Sequence, residues 1–139
     1  MPIVSYETAE LLVRIAFPVG AIMDGLAVIP MLSRRIGTAL FGGDPSGGSV
    51  EYRYAMGIGA SLLAGWTSLL LWGVASPIER RDLLMLTVFP VITGIVVATA
   101  IVARRRVIRP ARAIPLWIHL GVVSLFYVVA YILVRPFAH

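Results

Sequence analysis

The chain has 139 residues, 59% of them hydrophobic, and its formal charge of +5 comes from twelve arginines with no lysine. That apolar share exceeds what soluble domains carry, and the mean hydropathy of +0.91 agrees. Without cysteine there are no disulfides, thiolate metal sites or thiol redox chemistry; without lysine there is no Schiff base and no GxxxxGK[ST] phosphate loop.

A short polar lead, MPIVSYET, is followed by the first apolar block, residues 9–32. It is long enough to cross a bilayer, which takes about 20 residues of helix. It is too long for a signal-peptide core, follows Glu7 rather than a positive region, and lacks an A-x-A cleavage site. A retained span is therefore expected. Pro18 should bend it, and Pro30 marks its exit.

Residues 33–53 form the longest connection. Its first part, Arg34 to Phe41, sets apolar residues beside two arginines and suggests a short interfacial helix. Its second part, GGDPSGG, reads as a flexible linker: no lysine follows these glycines and no strand precedes them. The second span is 54–75 and the third is 83–103, with Pro90 near its middle. The turn SPIERRD between them makes the two antiparallel. The basic stretch RRRVIRPAR leads to the fourth span, 113–134. The expected fold is an all-α integral membrane protein: one transmembrane domain over 1–139, built as a left-handed four-helix bundle.

Arginine placement orients the bundle. The loops after spans one and three carry Arg34, Arg35, Arg53, Arg104, Arg105, Arg106, Arg109 and Arg112; the other face has Arg14, Arg80, Arg81 and Arg135. The excess belongs in the cytoplasm. Both termini are then expected on the non-cytoplasmic side of a cell inner (plasma) membrane. Arg104, Arg105, Arg106, Arg109 and Arg112 are candidates for anionic lipid headgroups, at about 1 kcal/mol each near the surface. Because the arginines cluster at the ends of apolar blocks, no nucleic-acid partner is expected.

The ionisable residues of span one share a side. At about 100° per residue, Glu7, Glu10 and Arg14 fall within roughly 60°, and Asp24 lies about 40° from Glu10. Glu10 and Arg14 stand at i, i+4, the order that favours an ion pair. Asp24 lies eight residues from the cytoplasmic end of the span, roughly 12 Å deep. Its short side chain cannot snorkel, so it must be protonated, paired or hydrated. His119 on span four lies roughly 9 Å from the same end. The matching depths suggest an Asp24–His119 contact, either a coupling site or a polar clasp between helices. Trp66 and Tyr127, nearer mid-membrane, are candidates to line such a site or simply to pack.

Small residues recur at i, i+4 in two rows of span two (Gly57, Ser61, Gly65 and Ala60, Ala64, Ser68) and at Gly94 and Ala98 in span three. Such rows let helices approach closely, and with two rows on different sides span two is expected to touch neighbours within the chain and in another copy. Trp72, Trp117, Tyr6, Tyr52 and Tyr54 fit an interfacial aromatic belt. Phe17-Pro18-Val19 is echoed by Phe89-Pro90-Val91, which hints at two tandem hairpins. Only His119 and His139 exist, so a bis-histidine haem within one chain is not expected. No HExxH, catalytic carboxylate pair or Ser-His-Asp set is evident. No cofactor, metal or enzymatic activity is therefore expected. Two readings remain: an oligomeric transporter or channel with an intramembrane Asp/His site, and a non-catalytic accessory or assembly subunit of a larger membrane complex. The expected partners are the lipid bilayer and either further copies or other membrane subunits.

Overall fold

The computed structural model describes residues 5–33, 35–37, 49–105 and 110–137. Among these there is helix and turn and no strand. Four helices are long and apolar enough to cross a membrane: α1 (Tyr6–Leu32), α2 (Val50–Ala75), α3 (Asp82–Arg104) and α4 (Pro110–Val134), the last continued by a 3-10 turn at Arg135–Phe137. The linker glycines, residues 42–48, lie outside the described residues, as do Arg34 and residues 38–41 of the expected interfacial helix; residues 35–37 are helical.

Helices α1 and α2 and the helical turn at 35–37 begin where the sequence supplies a serine cap. The first N–H groups of a helix have no partner within it, and a serine oxygen can take one. Thr8 N–H donates to Ser5 Oγ at 3.4 Å, Tyr52 N–H to Ser49 Oγ at 3.2 Å, and Ile36 N–H to Ser33 Oγ at 3.5 Å. Glu7 and Glu51 add acidic charge to the first turns of α1 and α2, where the helix dipole favours it. Helix α4 opens on Pro110, whose missing N–H costs nothing there. The turn before α3 is closed by Arg81, whose Nη1 donates to the Ile78 carbonyl at 3.0 Å.

The prolines act differently from one another. Helix α1 continues unbroken through Pro18 and Pro30. In α3, Pro90 sits in a π-helical turn, Thr87–Ile92. Proline has no N–H for the Leu86 carbonyl four residues back. Pairing at i−5 hands that carbonyl to Val91 instead. Thr93 completes the turn: its N–H and its Oγ1 both donate to the Val88 carbonyl, the hydroxyl at 2.9 Å. The two Phe-Pro-Val motifs are thus unlike: Phe17 is buried in regular helix, and Phe89 is exposed in the π turn.

The chain forms two compact units, one of Met1–Phe17 with Gly73–His139 and one of Pro18–Trp72. In the first, α3 and α4 pack against each other along both halves of α3 and its π turn. Ala113, Leu120, Tyr127 and Val134 are buried every seventh residue of α4, and α3 contributes Leu84, Thr87, Ile92 and Ala103. That spacing keeps one seam of a helix facing its neighbour. Trp117 Nε1 donates to Thr99 Oγ1 at 3.3 Å, tying α4 to α3. Ala9, Val13, Ala16 and Phe17 are fully buried on α1, a helical stripe. The ring of Phe17 lies against Gly73, and Tyr6 meets Phe137 edge-to-face with centroids 5.4 Å apart.

In the second unit, the rest of α1 runs antiparallel to α2. A Cβ on Gly25 would stand 3.6 Å from Thr67 Cγ2, and one on Gly59 would stand 2.6 Å from Met31 Cε. Ala21, Ala60 and Leu70 are buried. After α1 the chain folds back so tightly that a Cβ on Gly37 would fall 2.6 Å from the Pro30 carbonyl oxygen.

Within the chain the small-residue rows are mostly turned outward. Ala60 is buried, but Ser61, Ala64, Ser68 and Ala98 are exposed, and Gly57, Gly65 and Gly94 have open space where a side chain would go. Close approaches fall on Gly25, Gly59 and Gly73 instead. A small residue permits a close approach only where a neighbour presents bulk, and here Thr67, Met31 and Phe17 present it. Outward surfaces are strongly apolar: Leu26, Leu62, Trp72, Phe89, Ile118 and Leu125 are each more than half exposed. Water would not tolerate so much contiguous apolar surface on a monomer; a bilayer accommodates it.

Candidate functional site

Asp24 is the polar residue the fold treats most unusually. It lies eight residues from the end of α1, in the unit Pro18–Trp72, and is half-buried. Its Oδ2 is buried and has no hydrogen-bond partner among the described residues. Gly25, the next residue, brings α2 close at Thr67, so Asp24 sits at the level of Trp66, Thr67 and Ser68. The Thr67 hydroxyl donates to the Leu63 carbonyl at 2.9 Å, and the Ser68 hydroxyl to the Ala64 carbonyl at 3.0 Å. Trp66 is half-buried and has an interaction of its own.

His119 belongs to the other unit, on an exposed face of α4. Its neighbours Ile118 and Val122 are exposed as well. Tyr127, further along α4, is 1% exposed and part of that unit's core. Glu10 and Arg14 form the expected ion pair, with Arg14 Nη2 2.8 Å from Glu10 Oε1. The arginine side chain is 64% exposed, which marks a pair near one end of the helix rather than a sealed charge. Arg104 and Arg105 are exposed at the end of α3. Arg106 and Arg109 lie outside the described residues; Arg112 is within α4, and its side chain is not described.

Among the described residues no three His, Cys, Asp or Glu side chains gather into a metal-binding group. What this arrangement offers chemically is a carboxyl group within a long apolar helix, with one buried oxygen unsatisfied among the described residues. No family model, no curated protein and no solved structure matches the chain.

Three polar or tight contacts escape a reading of the sequence. The Trp117–Thr99 hydrogen bond makes Trp117 an interhelical clasp as well as an aromatic near the interface. Thr87 is 3% exposed and folds its hydroxyl onto the Leu83 carbonyl at 2.7 Å. Gly73 meets Phe17. A threonine in an apolar run is the only signal for the first two, and it is weak, because such a hydroxyl is always satisfied by its own helix.

Proposed function

We propose that the protein is an oligomeric membrane transporter or channel in which Asp24 is the intramembrane coupling group. The observation that carries this reading is the buried Oδ2 of Asp24 without a partner. A carboxyl group kept only to fasten two helices gains its stability from being paired, and one left unsatisfied costs about 1–3 kcal/mol or more. His119 is the second ionisable element, presented on the exposed face of α4. Four helices leave little room for an enclosed path, so the working unit contains several copies. The orientation that follows from the arginines places both termini outside and Arg104, Arg105, Arg106, Arg109 and Arg112 among the cytoplasmic headgroups of the inner membrane.

The exposure of His119 also favours a second reading, an accessory subunit whose partner covers that face of α4. The test is the mass of the protein extracted from its own host in native nanodiscs, with co-purifying chains identified. Multiples of the 15.0 kDa chain alone, with ion flux in proteoliposomes that Asp24→Asn abolishes, are the expected result. A different chain at fixed stoichiometry would overturn the transport reading.

A further inference from the structure

We propose that Phe17-Pro18 and Trp72-Gly73 together form a hinge about which the unit Pro18–Trp72 swings as one body. The chain passes between its two compact units only twice, once within α1 at Phe17-Pro18 and once near the end of α2 at Trp72-Gly73. Both crossings lie at one level, because the Phe17 ring rests against Gly73. Two crossings side by side define an axis, whereas two crossings far apart would brace the units against rotation.

Each crossing falls on a residue that weakens a helix. Pro18 has no N–H to give the Arg14 carbonyl four residues back, and its ring crowds that carbonyl; helices bend at such points. Helix α1 continues through Pro18, so the joint flexes without unravelling. Gly73 has no Cβ to restrict its backbone, and it stands two residues short of the end of α2 at Ala75. Regular α-helical bonding stops there: the Ser76 N–H donates to the Gly73 carbonyl, only three residues back, at 3.3 Å. Pro30, Pro90 and Pro115 each lie inside a single unit, so a bend at any of them displaces no unit as a whole.

Both units have a packed interior of their own. Ala9, Val13, Leu84, Tyr127 and Val134 are buried in one, and Ala21, Ala60 and Leu70 in the other. Close-packed interiors resist deformation, so a body of this kind moves whole and a few residues at its joints absorb the change. The hinge does not depend on what the protein transports. Its use does rest on the transport reading: Asp24 belongs to the swinging unit and His119 to the other, and the swing is then the step that opens Asp24 to each side of the membrane in turn.

The test is double electron–electron resonance between spin labels on the full chain in lipid nanodiscs. The chain has no cysteine, so labels attach only where one is introduced. Ile29→Cys with Ile118→Cys puts one label on each unit; Ile29→Cys with Leu62→Cys, and Ile101→Cys with Ile118→Cys, keep both labels within one unit. All four side chains are exposed. Ile29 is twelve residues from Phe17, roughly 18 Å along α1, so a modest swing moves its label by several ångström. The expected result is a between-unit distance distribution broader than both within-unit ones, which Pro18→Ala narrows to their width. A between-unit distribution as narrow as the others in the native backbone, or a breadth that survives Pro18→Ala, would overturn the hinge; the first comparison holds even if Pro18→Ala fails to fold. Ion flux in proteoliposomes tests the use of the hinge. Loss of flux in Pro18→Ala supports the swing as the transport step, and full flux in a narrowed Pro18→Ala overturns it. A broad between-unit distribution in a chain that carries no flux leaves the hinge standing and removes the transport reading.

Discussion

The ring of Phe17 occupies the space that a side chain on Gly73 would need. Phe17 is fully buried, so its ring has nowhere to swing. Gly73→Ala should therefore destabilise the protein by about 1–3 kcal/mol, the usual cost of overpacking. Gly57→Ala and Gly65→Ala meet open space and should change stability by no more than about 0.5 kcal/mol. Unfolding in mixed micelles measures all three. Equal effects at the three glycines would contradict the packing described here.

The reversal after α1 depends on Gly37 for a different reason. The atom a new Cβ would strike is a backbone oxygen, that of Pro30, and the Gly37 N–H is already bonded to the Ser33 carbonyl at 2.8 Å. Gly37→Ala must open this turn. We expect about 1–3 kcal/mol of destabilisation and faster proteolysis between residues 33 and 37. Unchanged cleavage would show that the turn is looser than the contact implies.

The Trp117–Thr99 bond should be measurable as a coupling. Thr99 shares its single hydroxyl proton between the carbonyls of Ile95 and Val96, so its oxygen can accept from the indole without losing that donor role. A double-mutant cycle of Trp117→Phe and Thr99→Val should give about 0.6 kcal/mol, and at most about 1.7, as found for polar contacts between membrane helices. Additive effects would mean the contact contributes nothing.

A π turn is one residue more than a regular helix needs. Deleting Pro90 should restore an unbroken helix while leaving Leu84 and Ala103 facing α4. Deleting Val97 instead would rotate everything after it by about 100° and turn Ala103 off the interface. Helicity by circular dichroism and the Tm in detergent should survive the first deletion and fall sharply with the second. Equal losses would refute the insertion view of this turn.

The Glu10–Arg14 pair should matter little to stability. One partner is mostly exposed, and a helical i, i+4 pair is worth about 0.3–0.5 kcal/mol. Glu10→Gln should lower stability by no more than that, and added salt should erase the difference. A larger, salt-insensitive loss would place the pair in a sealed environment.

Much of this was legible in particular residues. The apolar blocks marked the four helices, and the spacing of Glu10 and Arg14 announced their ion pair; α2, however, starts at Val50 on the Ser49 cap rather than at 54. Asp24 stood out because a charge inside an apolar run is costly wherever it ends up. The small rows did not locate the close approaches within the chain: Gly57 and Gly73 look alike in sequence, yet one faces open space and the other holds Phe17. Nor does Phe-Pro-Val reveal that Pro18 leaves its helix whole while Pro90 occupies a π turn.

The division has a physical basis. Sequence alone determined that the chain is helical in four long apolar stretches, because the hydrogen bonds of such a helix close within the stretch itself and its composition tolerates lipid. Caps and i, i+4 pairs are equally local. Only the tertiary structure decided which face of each helix is buried, that Gly73 rather than Gly57 has a neighbour against it, that Trp117 reaches Thr99, and that Asp24 Oδ2 has no hydrogen-bond partner among the described residues. Those outcomes depend on where another helix places its bulk and its polar groups, and no local pattern contains that information.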